Sequence, residues 1–301
     1  MARHPIEEKL RGVFTALVTP FSEDGRKIDR DAFSSHVERQ VEAAVSGLVV
    51  CGTTGETPTL LASEMQELVS VAKSVAGSRV PVVAGTCNND TWDTIELCKG
   101  AVQAGADMLM IVSPYYNKPS QEGLIRHIEL ISRAVDVPIM LYNIPGRTSV
   151  MMTVETTARI LDSCPNVVAV KDATGGLTYC QELLARIGDR AALLCGDDGL
   201  VVPMMSVGAR GVVSVTSNVL PREVIRVVDA MEKGDLLIAR REHLRLLSVH
   251  AAMFIEPNPQ PVKAACEARG WMRSSVRPPM LEASYETKAK IKAALAEYLE
   301  R

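Results

Sequence analysis

The chain has 301 residues, 47% hydrophobic and 23% charged, with 33 Lys+Arg against 36 Asp+Glu and a net charge of −3. That balance leaves no basic footprint for nucleic acid or an anionic membrane, and no apolar run approaches the ~18 residues of a membrane helix. The opening MARHPIEEKL lacks the apolar centre of a signal peptide, and seven cysteines without a CxxC fit a reducing, cytoplasmic setting better than a disulfide framework.

Short apolar runs rich in β-branched residues begin at Val13, Gly47, Pro81, Met108, Pro138, Val167, Ala192 and Gly211, 19 to 34 residues apart. Several are apolar at consecutive positions, as in parallel strands covered on both faces. Helical patterns separate them. Phe33, Val37, Val41 and Ala44 recur at helical spacing in the first. Ser63 with Gln66 reads as a capping-box start for the second, and Gly175-Gly176 and Gly188 bracket a later one. Eight β-then-α units predict a (β/α)8 TIM barrel over residues 1–233, because doubly wound sheets usually stop at five or six strands. Residues 234–301 contain no strand pattern and read as a C-terminal helical extension, with helices over 235–249, 262–269 and 285–300. Between them, Glu256-Pro257-Asn258-Pro259-Gln260-Pro261 cannot be helical throughout and reads as a stiff connection with a fixed packing place.

Catalysis in such barrels sits where strands end. The predicted ends carry Gly52-Thr53-Thr54-Gly55-Glu56, Ser113-Pro114-Tyr115-Tyr116-Asn117, Tyr142-Asn143-Ile144-Pro145-Gly146-Arg147, Lys171-Asp172, Gly196-Asp197-Asp198 and Ser214. Lys171 is the most informative. An ammonium at a strand end loses hydration, which favours the neutral amine that attacks a ketone to form a Schiff base. The alternatives are a lysine that snorkels to solvent, pairs with Asp172 or binds phosphate. Tyr142 ends the neighbouring strand and can shuttle the protons that imine formation requires, or can simply pack at the rim. Thr53 and Thr54 offer hydroxyls and turn amides to a carboxylate, and Arg147 offers a bidentate fork, although each residue type is also common in plain structural roles. His4, His36, His127, His243 and His250 fall in the N-terminal tail or on helical segments, away from the predicted mouth, which disfavours a Ser-His-Asp triad or a His-liganded metal. Adjacent Asp197 and Asp198 diverge in extended chain and make poor joint ligands. Cys51 and Cys195 read as small reduced core residues. No Walker A loop or GxGxxG follows a strand, so no nucleotide cofactor is expected.

Taken together and in order, these motifs resemble the pyruvate-dependent class I aldolases, and most closely their dihydrodipicolinate synthase family, over essentially the whole chain. Asn117-Lys118-Pro119-Ser120, Ala173-Thr174-Gly175 and Glu256-Pro257-Asn258-Pro259 share in the match. The resemblance implies a lyase without cofactor or metal. Lys171 would form a Schiff base with pyruvate, whose enamine condenses with L-aspartate-4-semialdehyde in diaminopimelate and lysine biosynthesis. It further implies a proton relay of Thr53, Tyr142 and Tyr116, the last reaching in from a neighbouring subunit. Thr54, Val213 and Gly196 would line the pyruvate site, and Arg147 would hold the semialdehyde carboxylate. A homotetramer of tight dimers is implied, with Tyr115 at the dimer contact beside an allosteric region containing Asn89 and Asp93. Relatives inhibited by lysine carry polar residues where Ala62 and Met65 stand, Pro58 precedes them, and Asp93 replaces a glutamate, so weak or absent lysine feedback is expected. The competing readings are a pyruvate aldolase for a sugar acid, which has less use for Arg147, and a non-catalytic barrel that binds a small carboxylate.

Overall fold

A computed structural model describes residues 6–299, without the side chains of Glu7 and Leu299. Strands β1 (Gly12–Ala16), β2 (Gly47–Val50), β3 (Val82–Gly85), β4 (Met108–Val112), β5 (Ile139–Asn143), β6 (Val167–Asp172), β7 (Ala192–Cys195) and β8 (Gly211–Ser214) pair in parallel with their sequence neighbours. Pairing of β8 with β1 closes the TIM barrel expected from the repeat. Every strand residue is buried. Alternate side chains such as Phe14, Val49, Met110, Met140, Leu194 and Val213 fill the interior. Those between them meet the helices, which explains runs that are apolar without alternation. At Gly47 an added Cβ would lie 2.2 Å from the Phe14 ring, so this wide side chain and the missing one across from it are a matched pair.

The helices are α1 (Arg30–Glu42), α2 (Ala62–Ala76), α3 (Thr91–Gln103), α4 (Gln121–Ala134), α5 (Pro145–Thr148), α6 (Val154–Ser163), α7 (Leu177–Ile187), α8 (Val201–Ser206), α9 (Pro221–Glu232), α10 (Leu236–Ala252), α11 (Gln260–Ala268) and α12 (Tyr285–Leu299). Two local expectations are corrected. Ala44 lies beyond α1 in a left-handed conformation, φ 64°, so the helical spacing outran the helix. The start of α2 is not the Ser63/Gln66 box. The Glu64 carboxylate accepts the Leu61 amide at 2.9 Å, a box two residues earlier, because Arg277 fixes Glu64 from the other side. The glycine-bounded helix is α7, as expected. The three C-terminal helices occur close to their expected places, although α10 runs on to Ala252 and α11 begins two residues early; Glu300 and His4 lie outside the described residues. Among the described residues no helix is long and apolar enough to cross a membrane.

Candidate active site

The barrel register sets the centre of the site. Tyr142 on β5 pairs directly with Lys171 on β6, and both side chains enter the interior. Lys171 is 6% exposed, and its Nζ lies over the Tyr142 ring, 3.9 Å from the centroid. The next register pair, Asn143 and Asp172, faces the helices, as the pleat requires. There the Asn143 amide exchanges hydrogen bonds with the Met152 backbone, and Asp172 Oδ1 accepts the Thr174 amide at 2.9 Å. Burial pushes the Asp172 carboxyl up from the usual carboxylate range. Lys171 therefore neither snorkels outward nor pairs with Asp172.

A cleft of about 200 Å³ is lined by Thr53, Cys87, Tyr115, Ile144 and Arg147, among others; Lys171 and Tyr142 are not in its lining, but Cys87, Tyr115 and Ile144 pack against the interior cluster that contains Tyr142. The cleft adjoins a hollow of about 160 Å³ lined by Thr53, Glu56, Arg147, Asn258 and Pro259. A larger hollow of about 310 Å³ lies elsewhere, beside Trp271, and contains none of the expected residues. Thr54 is buried and its Oγ1 accepts from Asn258 Nδ2 at 2.9 Å, while Arg147 Nη2 donates to the Asn258 carbonyl at 3.4 Å. The stiff connection at 256–261 thus packs on the mouth of the barrel. Val213 is buried in the barrel interior, in the apolar cluster that also contains Tyr142. Gly196 donates its amide to the Asp172 carbonyl at 2.7 Å, and a Cβ there would sit 2.8 Å from that of Ala173, so β7 can approach the end of β6 only as glycine. Cys87, two residues beyond the end of β3, also lines the cleft, with its thiol pushed up to about 11 by burial.

Residues 9–298 match the dihydrodipicolinate synthetase family. The chain belongs to that family. It is 52% identical over 286 residues to the 4-hydroxy-tetrahydrodipicolinate synthase of Sorangium cellulosum (strain So ce56), covering 95% of each chain. It is 45% identical to the Geobacter sulfurreducens enzyme of the same name, covering 96% of this chain and 98% of that one. The crystal structure of dihydrodipicolinate synthase from Aquifex aeolicus superposes with a TM-score of 0.93 at 40% identity, over 96% of this chain and 98% of that one.

Within this family fold the remaining expected residues separate into two groups. Asn89 and Tyr115 stay with the site: Asn89 Nδ2 donates to the Tyr115 carbonyl at 3.2 Å, and Tyr115 lines the cleft. Tyr116 does not. It is 89% exposed at φ 71° and lines neither hollow. Asp93 is exposed in the first turn of α3. Asp197 caps the Gly199 amide at 3.0 Å. Asp198 accepts the Ser214 hydroxyl and the Val215 and Thr216 amides, fixing the end of β8, so the two carboxylates diverge as expected. One expectation about the histidines is corrected. His250 is not remote from the strand ends, because its Nδ1 bonds Thr216 Oγ1 at 2.8 Å in the loop after β8. Cys51 and Cys195 are buried free thiols, raised by burial. Lys263 was missed. It is a fully buried lysine on α11 that pairs with Glu56 at 2.6 Å, and the only sequence signal was its place two residues after the proline-rich connection.

Proposed function

We propose that Lys171 is the amine that binds pyruvate in a condensation with L-aspartate-4-semialdehyde, giving 4-hydroxy-tetrahydrodipicolinate for diaminopimelate and lysine biosynthesis, the reaction for which the relatives are named. The observation that carries this reading is Lys171 Nζ, buried inside the barrel against the Tyr142 ring. Nζ adds to the keto carbon of pyruvate and loss of water leaves an imine. Removal of a methyl proton gives the enamine, which bonds to the aldehyde carbon. The amine of the semialdehyde unit then attacks the imine carbon, closing the ring and releasing Lys171. One water leaves overall, and no cofactor takes part.

Each transfer needs a proton carrier, and Tyr142, Thr53 and a second subunit's Tyr116 form the proposed relay. Thr54, with backbone at Val213 and Gly196, is assigned to the pyruvate carboxylate. Arg147 is assigned to the semialdehyde carboxylate, supported by its place in both adjoining hollows and by the absence, among the described residues, of any carboxylate bonded to its guanidinium. This use of Arg147 favours the semialdehyde over a sugar acid. Assembly as a homotetramer of dimers joined near Tyr115 is proposed on the exposed Tyr116, and a cytoplasmic location on seven free thiols. Lysine feedback is proposed to be weak, since Met65 is buried in the core and Asp93 is the shorter acid; half-inhibition by micromolar lysine in an initial-rate assay would contradict this. Borohydride reduction with pyruvate tests the central assignment. A stable carboxyethyl group on Lys171 is expected, and labelling at another lysine, or none, removes it.

A further inference from the structure

The Thr53–Thr54 turn is held from outside the barrel by a group that the reaction does not consume. Glu56 closes this turn, donating its amide to the Thr53 carbonyl at 3.1 Å while adopting φ 61°, a left-handed conformation that costs a residue with a Cβ. Its carboxylate is buried and has two partners. Oε1 accepts from Lys263 Nζ at 2.6 Å, and Oε2 accepts the Arg277 amide at 2.9 Å. Lys263 is 0% exposed, and its Nζ lies 4.4 Å from the centroid of the Phe21 ring. Burial holds its pKa below the usual lysine value, with Glu56 opposing. The Arg277 guanidinium binds both oxygens of Glu64 at 2.6 Å and the Thr59 carbonyl at 2.7 Å, so the neighbouring chain is fixed too.

A buried ion pair is a poor stabiliser, because the cost of dehydrating two charges offsets their attraction, and an apolar pair of the same volume usually serves stability as well or better. Its directionality is what apolar packing cannot supply. The geometry points to the Lys263–Glu56 pair as a positioning device that fixes the Thr54 hydroxyl in its pyruvate-binding arrangement. This rests on the proposed assignment of Thr54 to the pyruvate carboxylate. Lys263 and Glu56 are positioning residues: Lys263 lines neither hollow, and Glu56 borders the smaller one but has both carboxylate oxygens bonded, to Lys263 and to the Arg277 amide; they act through a turn of only four residues, too short to absorb a shift at one end.

The test uses the full-length protein. Lys263→Met or Glu56→Gln alone leaves one buried charge unpaired and should lower Tm by roughly 10 °C. The double variant Glu56→Gln/Lys263→Met leaves none, keeps a carbonyl for the Arg277 amide, and should regain most of that loss. Its pyruvate KM should nevertheless rise about tenfold, with kcat within about threefold of wild type. Thr54→Val should then cost less in the double variant than in wild type, a coupling that a purely structural role would not produce. A double variant that fails to fold, or folds with unchanged pyruvate KM, or shows no coupling to Thr54, overturns the proposal. Wild-type protein that is not trapped by borohydride with pyruvate removes the threonine assignment itself, and the positioning role falls with it; this outcome is distinct because the wild type is the protein that fails.

Discussion

Lys171 and Lys263 are both lysines in buried surroundings, yet only the first is legible from sequence. Lys171 ends an apolar strand, and a barrel brings strand ends together by construction. Lys263 sits on a helix, and its partner Glu56 lies 207 residues away, so nothing local marks the pair. Asn258 is similar: it belongs to a legible motif, but its bonds to Thr54 and Arg147 come only from the fold. Two side-chain predictions follow from the site. Tyr142→Phe removes the phenol proposed to carry protons and should lower kcat about 10²-fold or more, with Tm nearly unchanged, as measured by steady-state kinetics and calorimetry. Arg147→Ala should raise the semialdehyde KM roughly tenfold or more and the pyruvate KM much less; equal effects on both would place the guanidinium elsewhere.

At the scale of elements, buried histidines on α1 and α4 make helix packing sensitive to pH. His36 packs behind β1, where Nε2 lies 2.9 Å from Asn218 Oδ1, an oxygen that also accepts the Val18 amide. The imidazole therefore carries its proton on Nε2, and Nδ1 is buried with no partner among the described residues. Burial pulls the pKa of His36 down to about 4, with Arg39 adding repulsion that the Asn218 contact opposes, and burial holds His127 on α4 at about 4 too. Between about pH 6.5 and pH 4 the unfolded chain binds protons there that the folded chain refuses. Stability is thus present above pH 6.5 and is lost as pH falls through this window, by up to about 3 kcal/mol per histidine. Urea unfolding from pH 7 to pH 4 should show that slope, and His36→Gln should reduce it by about one proton; an unchanged slope would mean that His36 is not the group titrating. The elements themselves were legible because an apolar run or a helical stripe is a local property. Their ends were not: α1 stops before Ala44 because the chain turns there, and α2 starts where Arg277 places Glu64.

At the scale of the whole molecule, Leu61 (67% exposed), Trp92 (65%, in the first turn of α3) and Tyr116 lie in the successive connections after β2, β3 and β4, an exposed apolar set at the strand-end side of the barrel. A second copy docking there would cover it and deliver each Tyr116 to the other's site. In a two-fold dimer this has an arithmetic consequence. Tyr116→Phe and Tyr142→Phe variants, each impaired alone, should recover about a quarter of wild-type activity after random reassociation, because each mixed dimer contains one site with both phenols. No recovery in the mixture would place Tyr116 outside the relay. The sequence by itself determined the barrel, since its repeat, its doubly apolar strands and the reactive residues at their ends are all set within a few residues of one another. Tertiary structure decided what separation in the chain conceals: closure of β8 on β1, the Tyr142–Lys171 register and the grip of 256–277 on the Thr53–Thr54 turn. Those contacts join segments up to 221 residues apart, and a side chain carries no local trace of a partner that only chain closure brings within hydrogen-bonding distance.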